Sequence, residues 1–189
     1  MQAMIVDLLE FSRITRRGGA FTQFSLDDCL REALADLSLA ITESGARIEA
    51  EPLPVIAGDR LQIRRVIENL LGNAIKYRAP DRSPVIRISS RPEETGVTIT
   101  VADNGIGIAP EYHERVFALF QRLHTRDAYP GNGIGLTVCR KIVERHGGRI
   151  WVAEHEGEGA AFAIFLPFSP PPHTAAANRP PSGPRPDAT

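Results

Sequence analysis

The chain of 189 residues lacks most of the features by which a site is usually found. It has only two cysteines, Cys29 and Cys139, far apart and with neither a CxxC partner nor a histidine at ligand spacing. That excludes a zinc site built on cysteine and leaves two buried thiols in a reducing compartment as the expectation. A formal net charge of -1 excludes a broad nucleic-acid footprint, so no nucleic-acid partner is expected. No apolar run approaches the roughly 18 residues that a membrane-spanning helix needs, and a signal peptide is not expected. The expectation is a cytoplasmic location with no membrane segment in this chain. Lysine is nearly missing as well: Lys76 and Lys141 are the only two, which makes the place of each worth asking about.

Hydrophobic residues are 42% and charged residues 24%, ordinary for a globular domain with a core of its own. Met1, Met4, Leu8 and Phe11 repeat at three- and four-residue steps, predicting a helix to about Arg16 that Arg17-Gly18-Gly19 ends. Phe21 to Phe24 alternates as a short strand. Ser25 and Asp28 form a capping arrangement for one helical face that runs through Leu26, Cys29, Leu30, Ala33, Leu34, Leu37 and Ile41. A strand at Ala46 to Ala50 and a loop at Pro52–Pro54 follow. Asp59 caps the next helix, whose apolar face extends towards Tyr77.

Val85 to Ser89 and Val97 to Ala102 alternate as strands. Asp103 to Gly135 is irregular and glycine-rich, with a short apolar helix expected around Val116 to Leu123. Leu136 to His146 reads as a helix stopped by Gly147-Gly148, and Arg149 to Glu154 and Ala160 to Leu166 as two strands. Residues 169–189 form a Pro/Ala-rich tail with almost no hydrophobics, for which disorder is expected. This order does not make a simple βαβ series. An α+β sandwich with a mixed sheet and helices on one face fits it better.

Four clusters carry chemistry. Asn69, Asn73 and Lys76/Tyr77 recur at four- and three-residue steps, so they share one helix face. An amide oxygen suits a hard cation such as Mg²⁺, and a lysine suits a phosphate. The second cluster, Asp103-Asn104-Gly105-Ile106-Gly107-Ile108, follows a strand. Its carboxylate can accept from an exocyclic amine while the glycines allow close backbone approach; taken alone it reads better as an ordinary Asx turn. The third, Gly131-Asn132-Gly133-Ile134-Gly135-Leu136, opens a helix whose free N–H groups suit a phosphate. It is not a P-loop, since no Lys-Ser/Thr follows, and no strand leads into it as a dinucleotide fingerprint requires. The fourth is Val116-Phe117-Ala118-Leu119-Phe120, an apolar segment between two glycine-rich stretches. Phenylalanines three apart belong to the core as the first expectation, and a short apolar helix between glycines also describes a lid.

In this order and spacing the four clusters resemble the ATP-binding catalytic domain of sensor histidine kinases, a class shared with gyrase, heat-shock chaperone and mismatch-repair ATPases. The resemblance extends from about Phe21 to Pro167. Phe120-Gln121-Arg122-Leu123-His124 and Ile142 to Val152 look most like the phytochrome-like kinases.

The resemblance implies a two-layer α/β sandwich, with a mixed, mostly antiparallel sheet, helices on one face and an ATP lid, over residues 20–168. ATP and Mg²⁺ are the implied substrate and cofactor. Asn73 would hold the Mg²⁺, with Asn69 beside it and Lys76 reaching a phosphate, these three forming the catalytic set. Tyr77 would pack near the adenine and Asp103 would accept from its amino group, with Gly105 and Gly107 shaping the pocket floor. Arg122 and His124 would face the phosphates from the lid. Gly131, Gly133 and Gly135 would hinge that lid and, with Leu136, bring helix N–H groups to the phosphate.

Kinases of this kind carry an acceptor histidine on an upstream helix, followed by Glu or Asp and then Leu. None of His113, His124, His146, His155 and His173 has that context. Residues 1–16 instead resemble the end of the dimerisation hairpin, without its acceptor helix. The implied partners are a phosphoacceptor-histidine helix domain, a response-regulator receiver domain and, in the full-length kinase, a second copy of the chain. Transfer of the ATP γ-phosphoryl to that external histidine is the leading expectation. A nucleotide-binding regulatory module without kinase activity of its own is the alternative. An anti-sigma-factor serine kinase is a poorer fit, because residues 1–14 and the Phe-Gln-Arg-Leu-His segment look wrong for it.

Overall fold

The computed structural model describes residues 19–121, 133–155 and 157–169. Residues 1–16, the tail beyond Ser169, and Arg122, His124 and Gly131 lie outside the described residues.

Strand β1 (Thr22–Ser25) ends on the residue that starts the first helix. The Ser25 hydroxyl accepts from the Asp28 N–H at 3.3 Å, capping α1 (Leu26–Asp36) as the sequence predicts. The single helix expected through Ile41 is two, because Leu37 leaves helical geometry and α2 (Ser38–Ser44) begins after it. The break is local. Leu37 N–H still reaches the Ala33 carbonyl and Ile41 N–H the Leu37 carbonyl, so the apolar stripe runs across it almost unaltered. Strand β2 (Arg47–Ala50) follows, and then β3 (Val55–Gly58), where only a loop and a helix cap were expected. Four residues behind two prolines are too few to display a period; pairing with β1, from Ser25↔Val55 to Thr22↔Gly58, makes them a strand.

Helix α3 (Arg60–Lys76) is capped by Asp59 and buries Ile63, Val66, Ile67, Leu70, Leu71, Ala74 and Ile75. Strands β4 (Val85–Pro92), β5 (Gly96–Asp103), β6 (Arg149–Ala153) and β7 (Ala161–Pro167) join β2 in a sheet ordered β2-β4-β5-β7-β6. Only the β2–β4 pair is parallel, so the sheet is mixed and mostly antiparallel, as expected. Ile86 and Ile88, Val97, Ile99 and Val101, and Phe162, Ile164 and Leu166 point to one face by strand alternation. There they share a core with α1, α3 and α4 (Gly135–Arg145). The other face presents Arg87, Arg91, Thr100 and Trp151.

The short helix expected at Val116–Leu123 is a 3-10 turn, Arg115–Phe117, preceded by a second at Pro110–Tyr112. Ala118 is already extended and Phe120 has a φ of 60°, which no continuing helix tolerates. The two phenylalanines consequently part: Phe117 is buried in the core, while Phe120 is exposed. Both cysteines are buried, and burial pushes their thiols up, Cys29 to about 11 and Cys139 to about 12, so neither is a thiolate near neutral pH.

Candidate functional site

Three elements converge on one cleft: the C-terminal half of α3, the end of β5 and the N-terminus of α4. The periodicity of α3 puts Leu and Ile in the core and leaves Asn69, Asn73 and Lys76 on the opposite side, facing the cleft with Tyr77, its C-cap. Asn69 Nδ2 donates to the Arg65 carbonyl at 2.9 Å. Its Oδ1 lies where a side chain on Gly135 would begin, 2.6 Å from the place of a Cβ, so α3 and α4 approach this closely because residue 135 has none. Lys76 Nζ donates to the Tyr77 hydroxyl at 2.9 Å and lies 4.4 Å from that ring's centre.

Asp103 ends β5 as a tightly held carboxylate. Oδ1 accepts from the backbone N–H groups of Gly105 (2.8 Å) and Ala160 (3.2 Å), while the Asp103 N–H donates to the Ala160 carbonyl. Among the described residues Oδ2 has no hydrogen-bond partner, which leaves it available to a donor in the cleft. Burial pushes the Asp103 carboxyl above the ordinary carboxylate range; the two N–H groups and nearby His155 oppose that rise. A Cβ on Gly105 would overlap the Tyr77 carbonyl, which accepts from Ile106 N–H at 3.1 Å. The loop after Asp103 is thereby stitched to the end of α3.

The cleft has two communicating parts. One is apolar, with Asp103 on its wall, and is lined by Ile108, Val116, Ala160 and Phe162. The other is polar and lies between Arg65, Asn69 and Lys76 on α3 and Gly133, Ile134 and Gly135 at the start of α4. Asn73, Tyr77, Gln121 and Leu136 border both. A flat apolar ring bearing an amino group fits the first cavity. An anion fits the second, where the first-turn N–H groups of α4 have no side-chain cap among the described residues.

The Asn73 side chain has no hydrogen-bond partner among the described residues and stands at the junction, so its amide oxygen suits a hard cation. No group of three or more His, Cys, Asp or Glu that could hold a metal occurs among the described residues. A cation here would therefore take most of its ligands from the anion and from water, as Mg²⁺ does with phosphates.

Of the residues expected from sequence, Asn69, Asn73, Lys76, Tyr77, Asp103, Gly107, Gly133, Gly135 and Leu136 all border the cleft, and Gly105 lies in the loop after Asp103, against the Tyr77 carbonyl. Arg122, His124 and Gly131 lie outside the described residues. Arg65, Ala160 and Phe162 were missed, while Ile108, Val116 and Gln121 stood in the quoted segments without a role of their own. Arg65 was findable, since it lies one further four-residue step back from Asn69 on the same helix face. The Thr137 hydroxyl, which donates to the Phe117 carbonyl at 2.9 Å, ties the 3-10 turn on the cleft wall to α4.

Residues 58–170, more than half of the chain, match the family model described as histidine kinase-, DNA gyrase B-, and HSP90-like ATPase. The phytochrome-like protein Cph1 of Synechocystis sp. is 42% identical over 168 residues, 89% of this chain and 22% of that protein. The adaptive-response sensory kinase SasA of Parasynechococcus marenigrum is 38% identical over 89% of this chain and 45% of its own. The chain thus spans about a fifth of the phytochrome relative and under half of the sensory kinase. Among solved structures, the catalytic domain of histidine kinase ThkA superposes with a TM-score of 0.69 at 30% identity, covering 79% of this chain and 97% of that one. ThkA in complex with response regulator TrrA gives 0.71 at 28% identity, over 89% of this chain and 47% of that one.

Proposed function

The chain belongs to the family of histidine kinase-, DNA gyrase B-, and HSP90-like ATPases, and from that premise we propose that it is the catalytic part of a sensor histidine kinase that transfers the γ-phosphoryl of ATP to a histidine outside this chain. The observation that carries this reading is the junction of the two cavities. An apolar slot with a half-buried, twice-anchored carboxylate opens directly into a polar one walled by an amide face and a helix N-terminus. Adenine with its amino group and a triphosphate match that pairing in order and polarity.

In this reading Asp103 Oδ2 accepts from the adenine amino group, and Tyr77 and Leu136 close on the base. Lys76 leaves the Tyr77 hydroxyl for a phosphate oxygen, and the first N–H groups of α4 hold the phosphates in line. The amide oxygen of Asn73 would be the protein's ligand to Mg²⁺, and Asn69 keeps α3 at its distance from Gly135. Bound Mg²⁺ supplies neutralisation of phosphate charge; the chain supplies orientation and exclusion of water, which is most of what phosphoryl transfer asks of a protein. The phosphohistidine then passes its phosphoryl group to the aspartate of a receiver domain. The full-length kinase works as a homodimer.

The described histidines are engaged otherwise. His113 Nε2 meets the Ile108 carbonyl, His146 is buried and His155 Nε2 meets the Glu158 carbonyl. An acceptor supplied in trans is consistent with that. The test is γ-labelled ATP with Mg²⁺ and this chain, with and without a supplied acceptor-helix domain. Acid-labile, alkali-stable label on the supplied helix alone is the expected result. Label on neither, with nucleotide bound tightly, would leave a regulatory nucleotide-binding module instead.

A further inference from the structure

Helices α3 and α4 run antiparallel, and both reach the nucleotide cleft with one end: α3 with Asn73 and Lys76, α4 with Gly135 and Leu136. Their other ends, about 16 Å away by the length of α4, meet in a buried cluster that the reaction does not use. Asp59, the cap of α3, and Arg145, in the last turn of α4, form an ion pair at 3.2 Å, with side chains only 7% and 12% exposed. Arg145 also donates to the Gln62 side chain at 2.6 Å. His146 Nε2 accepts from the Asp59 N–H at 2.9 Å and its Nδ1–H donates to the Ile142 carbonyl at 2.7 Å. A backbone N–H must donate, so these two bonds fix His146 as the neutral Nδ1–H tautomer.

The cluster also grips the chain where it enters the domain. The Gly19 N–H donates to Asp59 Oδ2 at 2.6 Å and the Gly19 carbonyl accepts from Arg145 Nη2 at 3.1 Å, so both sides of that residue's backbone are held. Two residues on, the Phe21 ring stacks on His146 at 4.6 Å and lies under the Arg145 guanidinium at 4.8 Å. One cluster thus pins the two helices together and holds the incoming backbone.

We propose that Asp59, Arg145 and His146 are positioning residues that couple nucleotide in the cleft to the chain entering at Gly19–Phe21. Nucleotide held between the far ends of α3 and α4 sets their separation, and that separation sets the grip on the incoming backbone. The hold on Gly19 and Phe21 then depends on the occupancy of the cleft. Coupling is reciprocal, so loosening the grip weakens nucleotide by the same factor.

This inference rests on the nucleotide reading above, and the test separates the two. Amide hydrogen exchange is measured on the 189-residue chain with and without Mg²⁺ and a non-hydrolysable ATP analogue. The expected result is slowing at the cleft (69–77, 103–107 and 133–138) together with slowing of at least about five-fold at Gly19 and Asp59, the lower end of usual coupling. Slowing at the cleft with none at Gly19 and Asp59 overturns the coupling; slowing nowhere overturns the nucleotide reading itself. Asp59→Asn retains a good helix cap but loses the ion pair. In that variant the response at Gly19 is expected to vanish and the analogue to bind more weakly by the factor lost there. A lower melting temperature with the Gly19 response intact would make the cluster merely structural and overturn the proposal.

Discussion

The orientation of Asp103 depends on a residue 56 positions away, and Gly159→Ala is the perturbation that reveals it. Gly159 has a φ of +107°, and an added Cβ would overlap the Asp103 carbonyl oxygen outright and stand 2.6 Å from its carbon and 2.8 Å from the Asn104 Cα. All three are backbone atoms, so no side chain can swing aside. Ordinary contact begins near 3.4 Å, and the tip of the β6–β7 hairpin must retreat by well over an ångström. The bonds that flank the overlap, Asp103 N–H to the Ala160 carbonyl at 2.8 Å and Ala160 N–H to Asp103 Oδ1 at 3.2 Å, do not survive that. Losing one neutral and one charged hydrogen bond costs about 2–4 kcal/mol, and a non-glycine residue at that φ adds about 1–3 kcal/mol. A total of about 4 kcal/mol lowers the melting temperature of a domain this size by roughly 10 °C. ATP affinity should fall as well, since Oδ1 retains only the Gly105 N–H and the carboxylate is free to turn. Thermal unfolding and calorimetric titration with ATP measure the two effects. A variant that melts within 2 °C of the wild type and binds ATP equally well refutes the account of how Asp103 is held.

Asn73→Ala removes the amide oxygen at the junction of the cavities and should weaken Mg²⁺-dependent ATP binding by about ten-fold or more, roughly 1.4 kcal/mol or above; unchanged affinity in a titration sinks the site assignment. Thr137→Val leaves the Phe117 carbonyl without its partner at constant side-chain shape and should cost about 1–3 kcal/mol in chemical denaturation. Burial raises the Asp103 carboxyl above its ordinary 3.8, so on acidification ATP affinity should begin to fall at a higher pH than an ordinary carboxylate would give. The sign for stability is opposite: with the folded pKa raised, the cost of burying the charge applies above that pKa and disappears as pH falls through it. Comparing wild type with Asp103→Asn across pH should therefore show affinity and stability differences moving in opposite directions; parallel movement would contradict the burial argument.

Most of the fold was legible because its elements are long enough to show a period. The seventeen residues of α3 repeat their apolar face over four turns, and β4, β5 and β7 alternate over seven or eight residues. What failed was short or locally ambiguous. β3 has four residues and is a strand only by virtue of β1. The break at Leu37 leaves the backbone bonds on either side intact, so nothing in the residue pattern marks it. Phe117 and Phe120 have helical spacing, yet the chain turns extended at Ala118 and sends them to different environments.

The site divides along a related line. Asn69, Asn73, Lys76 and Asp103 were visible because the proposed chemistry asks for a specific side chain at a specific step. Ala160 was not, because its contribution is a backbone N–H that any residue but proline would supply, and its identity leaves no trace in the sequence. The trace lies next door instead. Gly159 is glycine because Asp103 occupies the space of its side chain, and Gly105 because the Tyr77 carbonyl does. At this site the glycines record where two backbones meet, and those meetings aim the carboxylate. A sequence pattern can propose Asp103 as the base-recognising residue; only the packing explains why Oδ1 is consumed by the protein and Oδ2 is left for the ligand.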